Sequence, residues 1–268
     1  MNEKFKGLTN NILIKDDQII KFAKELSKTY LDKKNEYNVL NEFLNSDQDV
    51  MIKPIEFNYK NNNLISSFKI LKDFKSLEEY EINELVLSKI VDSIYKFHNI
   101  KLNFKKIKRF NYKNFLFFFV NNIKNKMFNL SREIKIVLNK VSQLEKCDFV
   151  ISHNDLVPGN ILINKNFEIK FIDYDYVMLN DKFFDIASFI TETLNDNEEL
   201  IKNFISLVIK KNLLKKEELD MLNNCIAYQD VLWTLWANYM HENLNEDIYL
   251  QIAKEKYDRI KNRKLITI

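Results

Sequence analysis

The sequence predicts an α+β chain, with a small β-rich N-terminal lobe over residues 1–75 and a larger, mainly helical C-terminal lobe over residues 76–268. Three observations carry this. Short β-branched and aromatic runs separated by polar turns fill the first 75 residues. From Glu78 onward apolar residues recur at helical spacing. That helical pattern breaks between residues 149 and 172, where three apolar β runs follow one another.

Each element follows in order. Residues 11–15 and 18–22 are β-rich runs separated by Asp16-Asp17, which predicts a hairpin. Residues 31–43 place Tyr37, Leu40 and Phe43 at helical spacing. Strands follow at 54–59 and 64–71, joined by a polar turn at 60–63, and residues 73–76 are the expected lobe boundary. Leu87, Ile90, Val91, Ile94 and Phe97 then mark a helix with one buried stripe. Residues 115–143 are expected to be helical as well. Strands are expected at 149–152, 160–164 and 168–172, with a turn at 164–166, and helices from Phe184 to the end.

Composition narrows the function classes. The chain has 268 residues, 41 Lys+Arg against 38 Asp+Glu, and 46% hydrophobic residues, enough for a sizeable core. The near-balance of charge, +3 in all, argues against nucleic acid as the main partner, because phosphate binding wants a concentrated basic surface. The basic stretch Lys105 to Arg109 is expected to be a solvated surface. The apolar run at 116–120 is far short of the ~20 residues a membrane span needs, so no membrane insertion is expected. No apolar segment follows Lys4 and Lys6, and Cys147 and Cys225 are isolated, so the expected setting is a reducing, cytoplasmic one. Asn, Lys and Ile are so abundant that single Asn or Lys residues say little. With only two Gly and two Pro, each is expected where the backbone leaves no alternative.

The chemistry concentrates in His153-Asn154-Asp155-Leu156-Val157-Pro158-Gly159-Asn160. His-x-Asp-x4-Asn is the spacing of the protein-kinase catalytic loop. Ile172-Asp173 follows at the end of an apolar strand. A strand leaving at Asn160 and returning at Ile172 brings Asn160 and Asp173 together at the open end of one hairpin, with Asp155 just before it. Two carboxylates and an amide oxygen suit Mg²⁺, which usually shares its shell with substrate phosphates. Asn160 and Asp173 are then the metal ligands, and Asp155 orients an acceptor hydroxyl and takes its proton. His153 is expected to brace the loop through ring hydrogen bonds.

With Ile172-Asp173-Tyr174-Asp175-Tyr176, Asn180 and Phe184-Asp185-Ile186-Ala187, this loop resembles the choline/ethanolamine kinase family, and most of all its bacterial choline kinases. That family lies within the aminoglycoside-phosphotransferase and protein-kinase-like superfamily, so the resemblance implies a bilobal protein-kinase-like fold using ATP and Mg²⁺. It is densest over residues 149–192. By the same resemblance Gly7-Leu8-Thr9-Asn10 is a Gly-x-Thr-Asn loop covering nucleotide phosphates, with Gly7, Thr9 and Asn10 in it. Lys21, with Lys24 as a rival, holds the α/β phosphates, and Glu36 holds that base. Adenine is placed near residues 69–72, against Ile70 and Leu71. One departure is Asp173-Tyr174-Asp175 where protein kinases have Asp-Phe-Gly.

A quaternary ammonium has no N–H to donate and is recognised by aromatic faces with negative charge nearby. Trp233 and Trp236, at i and i+3, project on one helix face. They resemble the family's pocket helix, Tyr176 its pocket tyrosine and Glu192 an acidic residue nearby. Ile252 stands where some relatives have a further tyrosine, with Tyr249 and Tyr257 close in sequence. The expectation is a kinase acting on a small-molecule substrate, choline. Ethanolamine, another amino alcohol or an aminoglycoside is the alternative, and a catalytically silent binding module is the rival from another class.

Overall fold

The computed structural model describes residues 7–267, so Met1 to Lys6 and Ile268 lie outside the described residues. Strands β1 (Asn10–Lys15) and β2 (Gln18–Ala23) form the first hairpin, and helix α1 (Lys33–Leu44) follows. Strands β3 (Pro54–Lys60) and β4 (Asn63–Lys69) form the second hairpin, completing an antiparallel sheet in the order β1-β2-β4-β3. Both hairpins close on two residues with positive φ: Asp16 (49°) and Asp17 (59°), then Asn61 (50°) and Asn62 (58°). This is the tight-turn geometry that matches strand twist, and in a chain almost without glycine it is met by Asp and Asn, the side chains most tolerant of it.

The expectation that each glycine is required holds at Gly7 and needs correcting at Gly159. Neither has positive φ. Gly7 is required for space, since a Cβ there would lie 2.9 Å from the Asn10 carbonyl oxygen. At Gly159 a Cβ would meet only the movable Glu78 carboxylate, at 3.3 Å.

Strand β5 (Phe74–Ser76) occupies the expected lobe boundary and belongs to a second sheet. Helix α2 (Glu84–His98) buries Leu87, Ile90, Val91, Ile94 and Phe97 as its pattern requires, each stabilising the fold by roughly 1.5–3 kcal/mol. Asn83 caps it by accepting from the Val86 N–H at 3.1 Å. The single helix expected over 115–143 is instead two, α3 (Tyr112–Asn122) and α4 (Ser131–Leu144). No Pro or Gly marks the break. The main-chain N–H groups of Lys124 and Met127 are taken by the side chains of Glu242 and Asn238, at 3.0 Å each. Those long-range bonds replace the next helical turn.

Strands β6 (Val150–Ser152), β7 (Ile161–Asn164) and β8 (Ile169–Phe171) follow, then β9 (Met178–Asn180), which the sequence pattern had not suggested. Strands β5, β7 and β8 form one sheet, and β6 pairs with β9. Helix α5 (Phe183–Ser188) runs into a π-helical turn, Phe189–Thr193, and then come α6 (Glu198–Lys210), α7 (Leu219–Leu244) and α8 (Asp247–Asn262). The 26-residue α7 is buried nearly all round from Cys225 to Met240, which makes it the central post of the helical lobe. Among the described residues no helix is long and apolar enough to cross a membrane.

Candidate active site

The β6–β7 connection carries the His153–Asn160 loop, and buried Asp185 at the start of α5 anchors it. Its carboxylate accepts from the His153 N–H at 3.0 Å and the Asn154 N–H at 2.7 Å, and pairs with His98 Nε2 at 2.8 Å. Burial alone would raise Asp185, but the His98 bond and these N–H donors hold it below the ordinary carboxylate value. Asn154 adopts positive φ (62°), and its side chain donates to the Tyr176 carbonyl at 2.8 Å. His153 is buried and its Nε2 lies 2.8 Å from the Ile172 carbonyl. Burial lowers its pKa, so the ring is neutral and Nε2–H is the donor: a brace between the two halves of the loop.

The hairpin brings together the residues its spacing suggested. Ile161 pairs with Phe171, and the Ile172 N–H donates to the Asn160 carbonyl at 3.0 Å. Asn160 Nδ2 donates to the Asp155 carboxylate at 3.0 Å. Asp173 has positive φ (72°), a conformation that non-glycine residues hold chiefly where surrounding bonds enforce it. Here its carboxylate accepts from the Asp175 N–H at 3.1 Å and from Lys21 Nζ at 2.7 Å. Burial first, then the negative charges of Asp173, Glu192 and Asp175, push Asp155 well above the ordinary carboxylate value.

The N-terminal lobe meets these residues differently from the expected arrangement. Lys21 lines the cleft, 3.9 Å from Asp175 as well as 2.7 Å from Asp173. Lys24 touches the loop through its main-chain N–H, which donates to the Thr9 carbonyl at 3.1 Å. Glu36 does not pair with Lys21. Its partner is Lys33, a residue the sequence reading passed over, whose Nζ lies 2.7 Å from Glu36 and 3.0 Å from Asp175. Only its i, i+3 spacing to Glu36 could have drawn attention to it. Thr9 and Asn10 likewise aim their side chains at Asp175, at 2.6 and 2.8 Å, tying the Gly7–Asn10 loop to the segment that follows β8. Burial would raise Asp175, but Lys33 and Lys21 overcome it and hold the carboxylate far below its usual range.

A cleft of about 1060 Å³ gathers these groups. Gly7, Thr9, Asn10, Lys21, Ile70, Leu71, Asp155, Asn160 and Asp173 line it, and so do Tyr176, Glu192, Trp233 and Trp236; Glu36 does not. The aromatic rings meet edge to face: Tyr176 to Trp233 at 5.7 Å and 81°, Trp233 to Trp236 at 6.1 Å and 89°, Trp236 to Tyr249 at 5.6 Å and 79°. Trp236 Nε1 donates to the Tyr30 hydroxyl at 3.2 Å, so the indole is fixed. Glu192 is not open. Lys256 Nζ donates to it at 2.5 Å, and Lys256 and Arg259 line the same end of the cleft. Neither had been singled out in the sequence, where isolated cations in a Lys-rich helix carry no signal.

Asp155, Asn160 and Asp173 offer only oxygen donors, and the negative charge crowded around Asp155 is what a bound cation relieves, so the set fits Mg²⁺. Among the described residues no three His, Cys, Asp or Glu groups are arranged to hold a metal on their own.

Comparison with known proteins places the chain among kinases of one family. The family model described as choline/ethanolamine kinase matches residues 61–230. Protein LicA of Haemophilus influenzae is 28% identical over 194 residues, 65% of this chain and 68% of that protein. A LicA homolog of Mycoplasma capricolum is 32% identical over 173 residues, 56% of this chain and 69% of that one. In fold, the chain is similar to the crystal structure of choline kinase LicA from Streptococcus pneumoniae. The TM-score is 0.78 at 18% identity, covering 97% of this chain and 92% of that one.

Proposed function

Because this chain belongs to the choline/ethanolamine kinase family, whose members phosphorylate an alcohol, we propose that its cleft transfers the γ-phosphoryl group of ATP to the hydroxyl of choline. One observation carries the reading. The same cleft is lined by Lys21, Asp155, Asn160 and Asp173 and by the aromatic wall of Tyr176, Trp233 and Trp236. The first set handles phosphate and a hydroxyl proton, and the second handles a cation without N–H groups.

Phosphoryl transfer depends mainly on positioning and charge neutralisation. In this reading the Gly7 loop covers the phosphates, Ile70 and Leu71 border the adenine, and Lys21 holds the α/β phosphates. Asn160 and Asp173 would hold Mg²⁺, which would supply charge neutralisation for the transfer. Asp155 orients the acceptor hydroxyl. As the choline oxygen bonds to the γ-phosphorus and the bond to the β,γ-bridging oxygen breaks, its carboxylate takes the hydroxyl proton. Burial and like-charge neighbours raise its proton affinity, which suits that role. Tyr176, Trp233 and Trp236 enclose the trimethylammonium group.

ADP release with Mg-ATP against choline, ethanolamine, thiamine and kanamycin tests the reading. Choline should be turned over with the highest kcat/KM. A preference for kanamycin would replace the acceptor with an aminoglycoside, and no ADP from any acceptor would leave a binding module.

A further inference from the structure

The acceptor end of the cleft carries a charge arrangement that the aromatic wall does not explain. Glu192, in the π-helical turn, lines the cleft with both carboxylate oxygens engaged. Lys256 Nζ donates to Oε2 at 2.5 Å. The Thr191 hydroxyl donates to Oε1 at 3.0 Å, with Arg259 Nη1 3.9 Å away. This is no mobile surface bridge. The Lys256 side chain is 6% exposed, and the Arg259 guanidinium is fixed by the Thr191 carbonyl, by Asn195 at 2.7 Å and by Glu255 at 2.7 Å. Asp175 is filled as well, by Thr9 and Asn10 on one oxygen and Lys33 on the other.

A primary ammonium brings three N–H donors that need acceptors, whereas a quaternary ammonium brings none and gains from aromatic faces alone. We propose that Lys256 occupies the position on Glu192 that a primary ammonium would need, so that the chain selects a quaternary-ammonium alcohol over a primary amino alcohol. The inference rests on the acceptor reading above. Lys256 is a specificity-determining residue in it, acting through Glu192 by denying a hydrogen-bonding site to the competitor. Lys256 lies on α8, whereas Trp233 and Trp236 lie on α7, so it can be replaced without removing an aromatic face.

Paired kcat/KM values for choline and ethanolamine test it. Wild type should favour choline by at least about tenfold, since the competitor's N–H groups go unpaired. Lys256→Met keeps the buried stem, frees Glu192 and should shrink that ratio at least about fivefold, chiefly by lowering the ethanolamine KM. Lys256→Arg should keep the ratio within about twofold, because it restores a donor. Glu192→Gln combined with Lys256→Met should lose the gain for ethanolamine. A wild type with no preference, a Lys256→Met ratio equal to wild type, or a gain that survives in the double variant overturns the inference. A wild type that phosphorylates neither alcohol overturns the acceptor reading itself. Turnover of choline with an unmoved Lys256→Met ratio overturns only the role of Lys256. If Lys256→Met fails to fold, Lys256→Leu, which also lacks a donor for Glu192, is held to the same roughly fivefold fall in the ratio, and an unmoved ratio there overturns the role of Lys256.

Discussion

Replacing Lys33 with Met should be among the most damaging single changes in the N-terminal lobe, although Lys33 lies in none of the motifs. Its side chain is 1% exposed, and its partners Glu36 and Asp175 are 4% and 2% exposed, so solvent screens neither pair. Removing the ammonium leaves two carboxylates buried together with only Lys21 nearby, 3.9 Å from Asp175. Breaking a buried pair this way costs roughly 3–5 kcal/mol. At about 2–4 °C per kcal/mol for a chain of this size, the melting temperature should fall by roughly 6–20 °C. Lys34→Met is the control: Lys34 is exposed and sits over the Tyr37 ring at 4.5 Å, worth about 0.5–1 kcal/mol. The assay is thermal unfolding at several pH values, because the sign separates lost charge from lost packing. Burial already raises Glu36 to about 7 with Lys33 in place, so without Lys33 it would rise further and Asp175 would rise above its unfolded value. The variant's native state then takes up more protons than the wild type's as pH falls, and the deficit shrinks. A loss under about 2 °C, or a deficit that does not shrink between about pH 8 and pH 5, refutes the argument that this cluster is held together by charge.

Asp173→Ala should weaken Mg-ATP binding at least about tenfold and lower turnover with it, measured by calorimetric titration with and without Mg²⁺. Tyr176→Leu removes one aromatic wall. It should raise the choline KM about five- to thirtyfold, for ~1–2 kcal/mol of cation–π energy, with the ATP KM nearly unmoved and the melting temperature measured beside it. Stability should be greatest on the acid side of neutrality. Burial raises Asp155 and Asp230 and pushes Asp181 up to about 6 from an ordinary 3.8, so these carboxyls stabilise the fold at low pH and lose that contribution as pH rises through their folded values. Against them stands one neutral buried imidazole, His153. Asp175 and Asp185, both depressed, stabilise above 3.8 and lose that contribution as pH falls through their folded values. The melting temperature should therefore be higher near pH 5 than near pH 7.5 and begin to fall only below about pH 3.8, and a steady rise from pH 5 to 8 would contradict this.

What could be read in the sequence was local. The two hairpins, the stripe of α2 and the Asn160–Asp173 hairpin depend on short-range alternation, periodicity and turn residues, and each is present close to its expected bounds. The features that escaped depend on distant partners. Strand β9 has three residues and exists because β6 lies beside it. Helix α3 stops where α7 supplies Glu242 and Asn238 to the main-chain N–H groups of Lys124 and Met127, in the connection just beyond it. The same holds in the site. Asp155, Asn160 and Asp173 share one motif, whereas Lys33 reaches Asp175 across 142 residues and Lys256 reaches Glu192 across 64. In a chain rich in lysine, nothing local separates those two from their solvated neighbours.

Phosphorus NMR of the wild-type protein with ATP, Mg²⁺ and choline tests the central claim most directly, because it reads the new bond itself. ADP and phosphocholine should appear in a one-to-one ratio. Asp155→Asn, which keeps the shape of the side chain and loses the proton acceptor, should bind ATP and form almost none. No phosphocholine from the wild type, or an Asp155→Asn rate within about threefold of it, would contradict the account.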